Sequence, residues 1–203
     1  MNESVNDAET EAFLREGLKC FMPAVQALLT FLKQIGERIG AVLKPYDDQL
    51  EGLGLASSRS KFSFYPDIAR AFAGQVLEVD LKIPDRSGFY IYIDFGAQRS
   101  RALYVGFWIW TPVTKDRRSL FAALRGLPIL DYPWEIETGD QTTINIGTYT
   151  DIEQHFPNFE PLLEETVKRV LSAFETINFS QRFLPGFQTK QVGLDQADAT
   201  QSP

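Results

Sequence analysis

Val76-Leu77-Glu78-Val79-Asp80-Leu81-Lys82-Ile83, Phe89-Tyr90-Ile91-Tyr92-Ile93-Asp94-Phe95 and Ala102-Leu103-Tyr104-Val105-Gly106-Phe107-Trp108-Ile109-Trp110 are the three runs that decide the fold of this chain. Each alternates with a period of two, the pattern of a strand with two unlike faces. Leu77, Val79, Leu81 and Ile83 share one face of the first run, opposite Glu78, Asp80 and Lys82. Phe89, Ile91, Ile93 and Phe95 share a face of the second, and Leu103, Val105, Phe107 and Ile109 a face of the third. The connections Pro84–Gly88 and Gly96–Ser100 are short and built of turn residues, which predicts antiparallel neighbours in a meander. The register expected from those loops sets Ile83 against Phe89, Leu81 against Ile91 and Val79 against Ile93. It sets Phe95 against Leu103, Ile93 against Val105 and Ile91 against Phe107. A slip by one residue would scatter the apolar set over both faces.

The opposite face is the unusual one. The same register brings Lys82 beside Tyr90, Asp80 beside Tyr92, Tyr90 beside Trp108 and Asp94 beside Tyr104. That face therefore carries Tyr90, Tyr92, Tyr104, Trp108 and Trp110, with charges along the first strand. A solvated sheet face is expected to be mostly polar. Rings with polar tips are instead what interfaces favour. Either a helix or terminal segment of the same chain covers these rings, or they form a contact surface for a second copy or a partner protein.

The chain has 203 residues, of which 44% are hydrophobic and 13% aromatic, enough for one domain with a real core. A net charge of −7 argues against binding a phosphate backbone as the main activity, so nucleic acid is not the expected partner. The single cysteine, Cys20, allows no disulfide within the chain and fits a reducing cytoplasm. The acidic start, Met1-Asn2-Glu3-Ser4, has no basic region followed by an apolar run, and no stretch approaches a membrane span.

Outward from the meander, Ala8–Leu43 reads as a helix with a break near Pro23. Leu18, Phe21, Val25, Leu28, Leu32, Ile35, Ile39 and Val42 form a heptad seam, which serves either a coiled-coil dimer or a core helix lying on the sheet. The core helix is preferred, because flanking charges are sparse and Gly36 and Gly40 suggest close approach to another backbone. Lys44–Ser60, with Pro45, Gly52 and Gly54, reads as a linker or surface loop with one helical turn. Lys61–Tyr65 suggests a short strand, and Pro66–Phe72 a helical turn. Thr114 is an N-cap candidate for a helix over Lys115–Arg125 that stops at Gly126. Trp134–Thr138 and Thr142–Gly147 form a hairpin. A three-residue loop, Gly139–Gln141, sets Ile136 against Ile144 and Trp134 against Ile146. Asp151–His155 suggests one helical turn, and Pro157–Ile177 a last helix with Phe159, Leu163, Thr166, Val170, Phe174 and Ile177 on its apolar stripe. Residues 1–183 are expected to form one α+β domain, an antiparallel sheet of about five strands in the order α-βββ-α-ββ-α, followed by a polar, disordered tail over 184–203.

That order of elements resembles the small acidic chaperones that hold secretion effectors, whose dimers bind extended client segments. The resemblance rests on element order alone. It implies a non-enzymatic, chaperone-like adaptor acting as a homodimer.

Catalytic signatures are sparse. His155 is the single histidine, with no second histidine or cysteine pair to complete a zinc site and no nucleophile elbow to serve. No glycine-rich phosphate loop occurs, and no cofactor is called for. Pro66-Asp67 followed by Asp80-Leu81-Lys82 resembles the PD-(D/E)xK signature of metal-dependent nucleases. The resemblance implies Asp67 and Asp80 as Mg²⁺ ligands and Lys82 as the residue that positions water. The chain departs from that family in running two more meander strands after Lys82, where the family enters a helix. Binding through Tyr90, Tyr92, Tyr104, Trp108 and Trp110 is the preferred expectation.

Overall fold

The computed structural model describes residues 7–65, 76–94, 102–139, 142–151, 155 and 158–183. Six strands make one sheet: β1 (Lys61–Tyr65), β2 (Val76–Ile83), β3 (Ser87–Asp94), β4 (Ala102–Trp110), β5 (Trp134–Gly139) and β6 (Thr143–Asp151). Their spatial order is β1-β2-β3-β4-β6-β5, and every neighbouring pair is antiparallel. The helices are α1 (Asp7–Leu43), α2 (Asp47–Gly52), α3 (Thr114–Arg125), α4 (Glu160–Thr176) and α5 (Phe179–Arg182). The molecule is α+β, as its pattern predicts, with one strand more than five because Lys61–Tyr65 joins the sheet at the β2 edge.

The inner face is the core. Val79, Leu81, Phe89, Ile91, Ile93, Leu103, Val105, Phe107 and Ile146 are all buried in one cluster with the helices. The C-terminal half of α1 contributes Leu32, Ile35, Ile39 and Leu43 to it, and α4 contributes Leu163, Val167, Val170 and Phe174. Each fully buried side chain of this kind stabilises the fold by roughly 1.5–3 kcal/mol relative to exposure. Phe174 meets Phe107 edge-on at 5.8 Å, pinning α4 to the centre of β4. Arg38 ties the two long helices together. Its Nε donates to Glu160 at 2.5 Å, and its guanidinium lies 4.5 Å over the Phe159 ring.

The facing sets are as expected, but every register is two residues from the one expected. Ile83 pairs with Ser87, Leu81 with Phe89 and Val79 with Ile91. Phe89 pairs with Phe107 and Ile91 with Val105. Ile136 pairs with Ile146 and Trp134 with Thr148. The β2–β3 turn explains the first shift. It needs only Pro84, Asp85 and Arg86, because Asp85 adopts a left-handed φ of 52° and Arg86 N–H donates to Ile83 O at 3.2 Å. Ser87 and Gly88 are thereby drawn into the strand, and Ser87 Oγ accepts from Ala56 N–H at 2.9 Å. In the last hairpin, Gly139 extends β5 and pairs with Thr143.

Three further expectations are corrected. α1 runs through Pro23 without interruption. Lys44–Ser60 is packed structure, not a loose linker: Leu50, Leu55 and Ala56 are in the core, and the Asp47 carboxylate accepts from Ser58 N–H at 2.8 Å and Ser58 Oγ at 2.6 Å. Thr114 is the first residue of α3, and the preceding Val113 makes no side-chain cap. Of the two glycines expected to mark close approach to another backbone, Gly36 meets the Phe62 ring instead, and Gly40 is in ordinary contact with Ser58 O at 3.9 Å. The seam of α1 is packed against the core from Leu28 and fully buried in it at Leu32, Ile35 and Ile39. Before Leu32, Val25 and Leu28 are half-buried, and Gln26, Ala27, Leu29, Thr30 and Phe31 are exposed. The turn expected over 66–72, Asp67, Phe95 and the 184–203 tail lie outside the described residues. Among the described residues, no helix is long and apolar enough to cross a membrane.

Candidate functional site

Strand alternation places a second set of residues on the face away from α1 and α4. The register turns them into rows across the strands. One row runs Lys61, Lys82, Gly88, Trp108, Asn145, Glu137; the next runs Ser63, Asp80, Tyr90, Gly106, Gly147, Glu135. A third carries Glu78, Tyr92, Tyr104 and Tyr149. This corrects the expected neighbours: Asp80 stands beside Tyr90, Glu78 beside Tyr92, and Tyr92 beside Tyr104.

The glycines explain how so many rings fit on one side of a sheet. A Cβ on Gly88 would lie 2.7 Å from Trp108 Nε1 and 2.9 Å from Lys82 Cβ, so the indole lies flat across β3 only because position 88 has no side chain. Gly106 and Gly147, paired across β4 and β6, do the same for the Tyr104 ring, which would clash with a Cβ on either. Tyr104 is thus only 3% exposed although it sits on the outer face. Its ring lies 5.3 Å from Tyr90 and 4.6 Å from Tyr149, within the range of attractive aromatic pairs. Tyr90, Tyr92, Trp108 and Trp110 are half-buried, and Tyr149 is exposed.

Beside the rings, Asp80 is also 3% exposed. Trp108 Nε1–H donates to its Oδ1 at 3.3 Å, and Lys82 Nζ approaches Oδ2 at 3.4 Å. Burial pushes the Asp80 carboxyl up, against the pull of Lys82 and the indole. Glu78 is pushed up to about 7, first by burial and then by the charge and hydrogen bond of Asp80. The two carboxyls titrate as a pair, both held above the ordinary carboxylate range. Burial also lifts the Tyr90 and Tyr104 phenols above the ordinary tyrosine range. The Tyr90 hydroxyl lies near the buried Tyr104 Oη, but among the described residues no group meets it in full hydrogen-bonding geometry.

A shallow groove of about 450 Å³ runs over this region, lined by Glu78, Asp80, Lys82, Tyr90, Trp108 and Trp110 among others, with no helical residue in its wall. On the far side of the rings, Glu135 and Glu137 are exposed on the edge strand β5, and neither has an ion-pair partner among the described residues.

All five ring residues singled out from sequence thus lie on one surface, with Tyr104 buried in it. Tyr149 belongs to the same surface and went unnoticed, because Thr148-Tyr149-Thr150 carries no apolar alternation of its own. The glycines were the missed signal, since Gly88, Gly106 and Gly147 all interrupt strands on the ring-bearing face. Of the acid and lysine set, Asp80 and Lys82 are in contact, and Asp67 lies outside the described residues. Among the described residues, no three Asp, Glu, His or Cys side chains are grouped to hold a metal. What the arrangement offers is flat aromatic area with a carboxylate border, which suits contact with another macromolecule. Compared with protein-family models, curated proteins and solved structures, the chain matches none.

Proposed function

We propose that this protein is a non-enzymatic, chaperone-like adaptor that binds protein through the outer face of its sheet and works as a homodimer in a reducing compartment. The observation that carries this reading is the aromatic surface over β3, β4 and β6, remote from the helices that build the core. A face that served only solvent would have no use for six rings. The core cluster that joins sheet and helices lies on the other side, and of the six rings only Tyr104 is buried. The lone cysteine supports the compartment.

The test is a photo-cross-linking amino acid placed at Tyr149, on the face, or at Tyr132, which is 93% exposed and off it. A discrete protein adduct from position 149 and none from 132 is the expected result. Adducts from both alike, or from neither, overturn the reading.

A Mg²⁺-dependent nuclease is the second reading, favoured by one observation: Asp80 and Lys82 touch on one strand. Against it, both Asp80 oxygens already have partners within the chain, and a metal would have to displace them. Cleavage of DNA or RNA in Mg²⁺ that disappears in Asp80→Ala would establish it. Absence of cleavage removes it.

A further inference from the structure

The groove over the outer face brings rings and carboxyls together with little positive charge to answer them. Among the described residues, its wall carries the carboxyls of Glu78, Asp80 and Asp85 against one ammonium, that of Lys82. Lys82 is already committed to Asp80 at 3.4 Å. Burial holds the Glu78 and Asp80 carboxyls above the ordinary range, and for Glu78 the charge of Asp80 adds to it, as in a pair short of counter-charge. The imbalance extends over the face. Asp94, Glu135, Glu137 and Asp151 project on the same side, where Lys61 is the other described lysine. The chemistry that answers such a field is a cation.

The rings select among cations. With no side chain at Gly88, the Trp108 indole lies flat across β3 and turns a ring face to the groove, its Nε1–H held by Asp80 at 3.3 Å. Tyr90 stands beside Asp80 in the register. Arginine suits a ring flanked by carboxyls better than lysine does, because its planar guanidinium stacks on the ring while its edge donates to carboxylate oxygens. This chain builds that arrangement twice elsewhere. Arg38 lies 4.5 Å over the Phe159 ring and donates to Glu160, and Arg169 lies 3.9 Å over the Trp134 ring and donates to Glu165 at 2.8 Å. The groove has the ring and the acids, and no arginine among its described lining residues. Its ring walls are half-buried and its volume is about 450 Å³, so it is a slot for a single side chain rather than a landing area for a folded surface.

We infer that the groove receives an arginine side chain of the partner protein, with the guanidinium on the Trp108 indole and its N–H groups donating to Glu78 and Asp80. The ring, the acid pair and Lys82 are already in place, so little of the site has to be ordered on binding. Lys82 keeps to the Oδ2 side of Asp80, and Glu78, the more exposed of the two acids, meets the incoming charge first. Glu135 and Glu137 extend the same field toward β5 and draw a basic segment to the face. This inference rests on the reading of the face as a protein-binding surface and names the residue by which its partner is recognised.

The test uses the full chain and fluorescein-labelled peptides of equal length that alternate glycine with arginine, lysine or citrulline, read by fluorescence anisotropy at about 150 mM salt. Citrulline keeps the shape of arginine without its charge. The arginine peptide is expected to bind about tenfold tighter than the citrulline peptide, and tighter than the lysine peptide. Glu78→Gln is expected to weaken the arginine peptide about tenfold. Glu37→Gln, which removes an equal charge from an exposed site on α1, is expected to leave it unchanged. Circular dichroism establishes that each variant is folded, and the comparison of peptides on wild type stands whether or not Glu78→Gln folds. Equal binding of the arginine and citrulline peptides overturns the inference, as does the same loss from both variants or no saturation by about 1 mM peptide. If it is overturned while Tyr149 still cross-links to a protein, the face remains a binding surface whose partner is recognised without arginine. If that cross-link fails too, both readings fall.

Discussion

Trp108 reaches across an entire strand to Asp80: its indole N–H donates to the carboxylate at 3.3 Å from β4 to β2, over Gly88 of β3. The contact closes one end of the outer face and fixes the plane of the ring. It also gives a buried acid a partner beside Lys82 and Glu78. The geometry depends on a missing side chain.

Gly88→Ala should therefore act on Trp108. A Cβ at 2.7 Å from the indole nitrogen forces the ring to lift and breaks its hydrogen bond to Asp80. The expected loss is about 1–3 kcal/mol, as for overpacking in a closed space. Urea unfolding checks the magnitude. A red shift of tryptophan emission checks the mechanism, and a variant as stable as wild type with unshifted emission would show that the ring does not depend on Gly88.

The raised Glu78 carboxyl makes stability depend on pH. Its folded value of about 7 lies above the ordinary value of 4.5, so the folded protein binds more protons than the unfolded one between those limits. Its contribution is fully present below about pH 4.5 and is lost as pH rises through 7. Glu78→Gln cannot ionise, so wild type should lose stability relative to this variant between pH 5 and 8. A difference that stays flat over that interval contradicts the assignment.

Tyr104 offers the opposite kind of test. Its hydroxyl is buried with no well-formed hydrogen bond among the described residues, so its removal should cost little and relieve a desolvated group. Tyr104→Phe is expected to be within about 0.5 kcal/mol of wild type or more stable. A loss above about 1 kcal/mol in thermal or urea unfolding would reveal a hydrogen bond that the fold keeps.

Much of this was readable in the residues, and what was missed has physical causes. Alternation of apolar side chains fixes which face a strand residue takes, so Tyr90, Tyr92, Tyr104, Trp108 and Trp110 fall together on one side. Alternation does not fix register beyond parity, because a shift of two residues leaves every face unchanged. That was decided by Asp85, whose left-handed backbone shortened the turn and drew Ser87 and Gly88 into β3. Burial on the outer face was equally hidden. Asp80 reads as a solvated charge until Trp108, two strands away, is seen to lie across it, and that depends on a glycine on the strand between them. Lys44–Ser60 misled through its prolines and glycines, while Leu50, Leu55 and Ala56 carried too few residues to show a period.

The most direct measurement is the unfolding free energy of Trp110→Ser/Tyr149→Ser beside that of Phe107→Ala. If the inner side of the sheet alone holds the chain folded, the outer pair costs less than about 2 kcal/mol in all, the scale of exposed aromatic contacts. The inner variant, from a side chain with no exposure, costs about 3–5 kcal/mol. An outer-face loss as large as that of Phe107→Ala would make those rings a second core, and the docking surface would not exist.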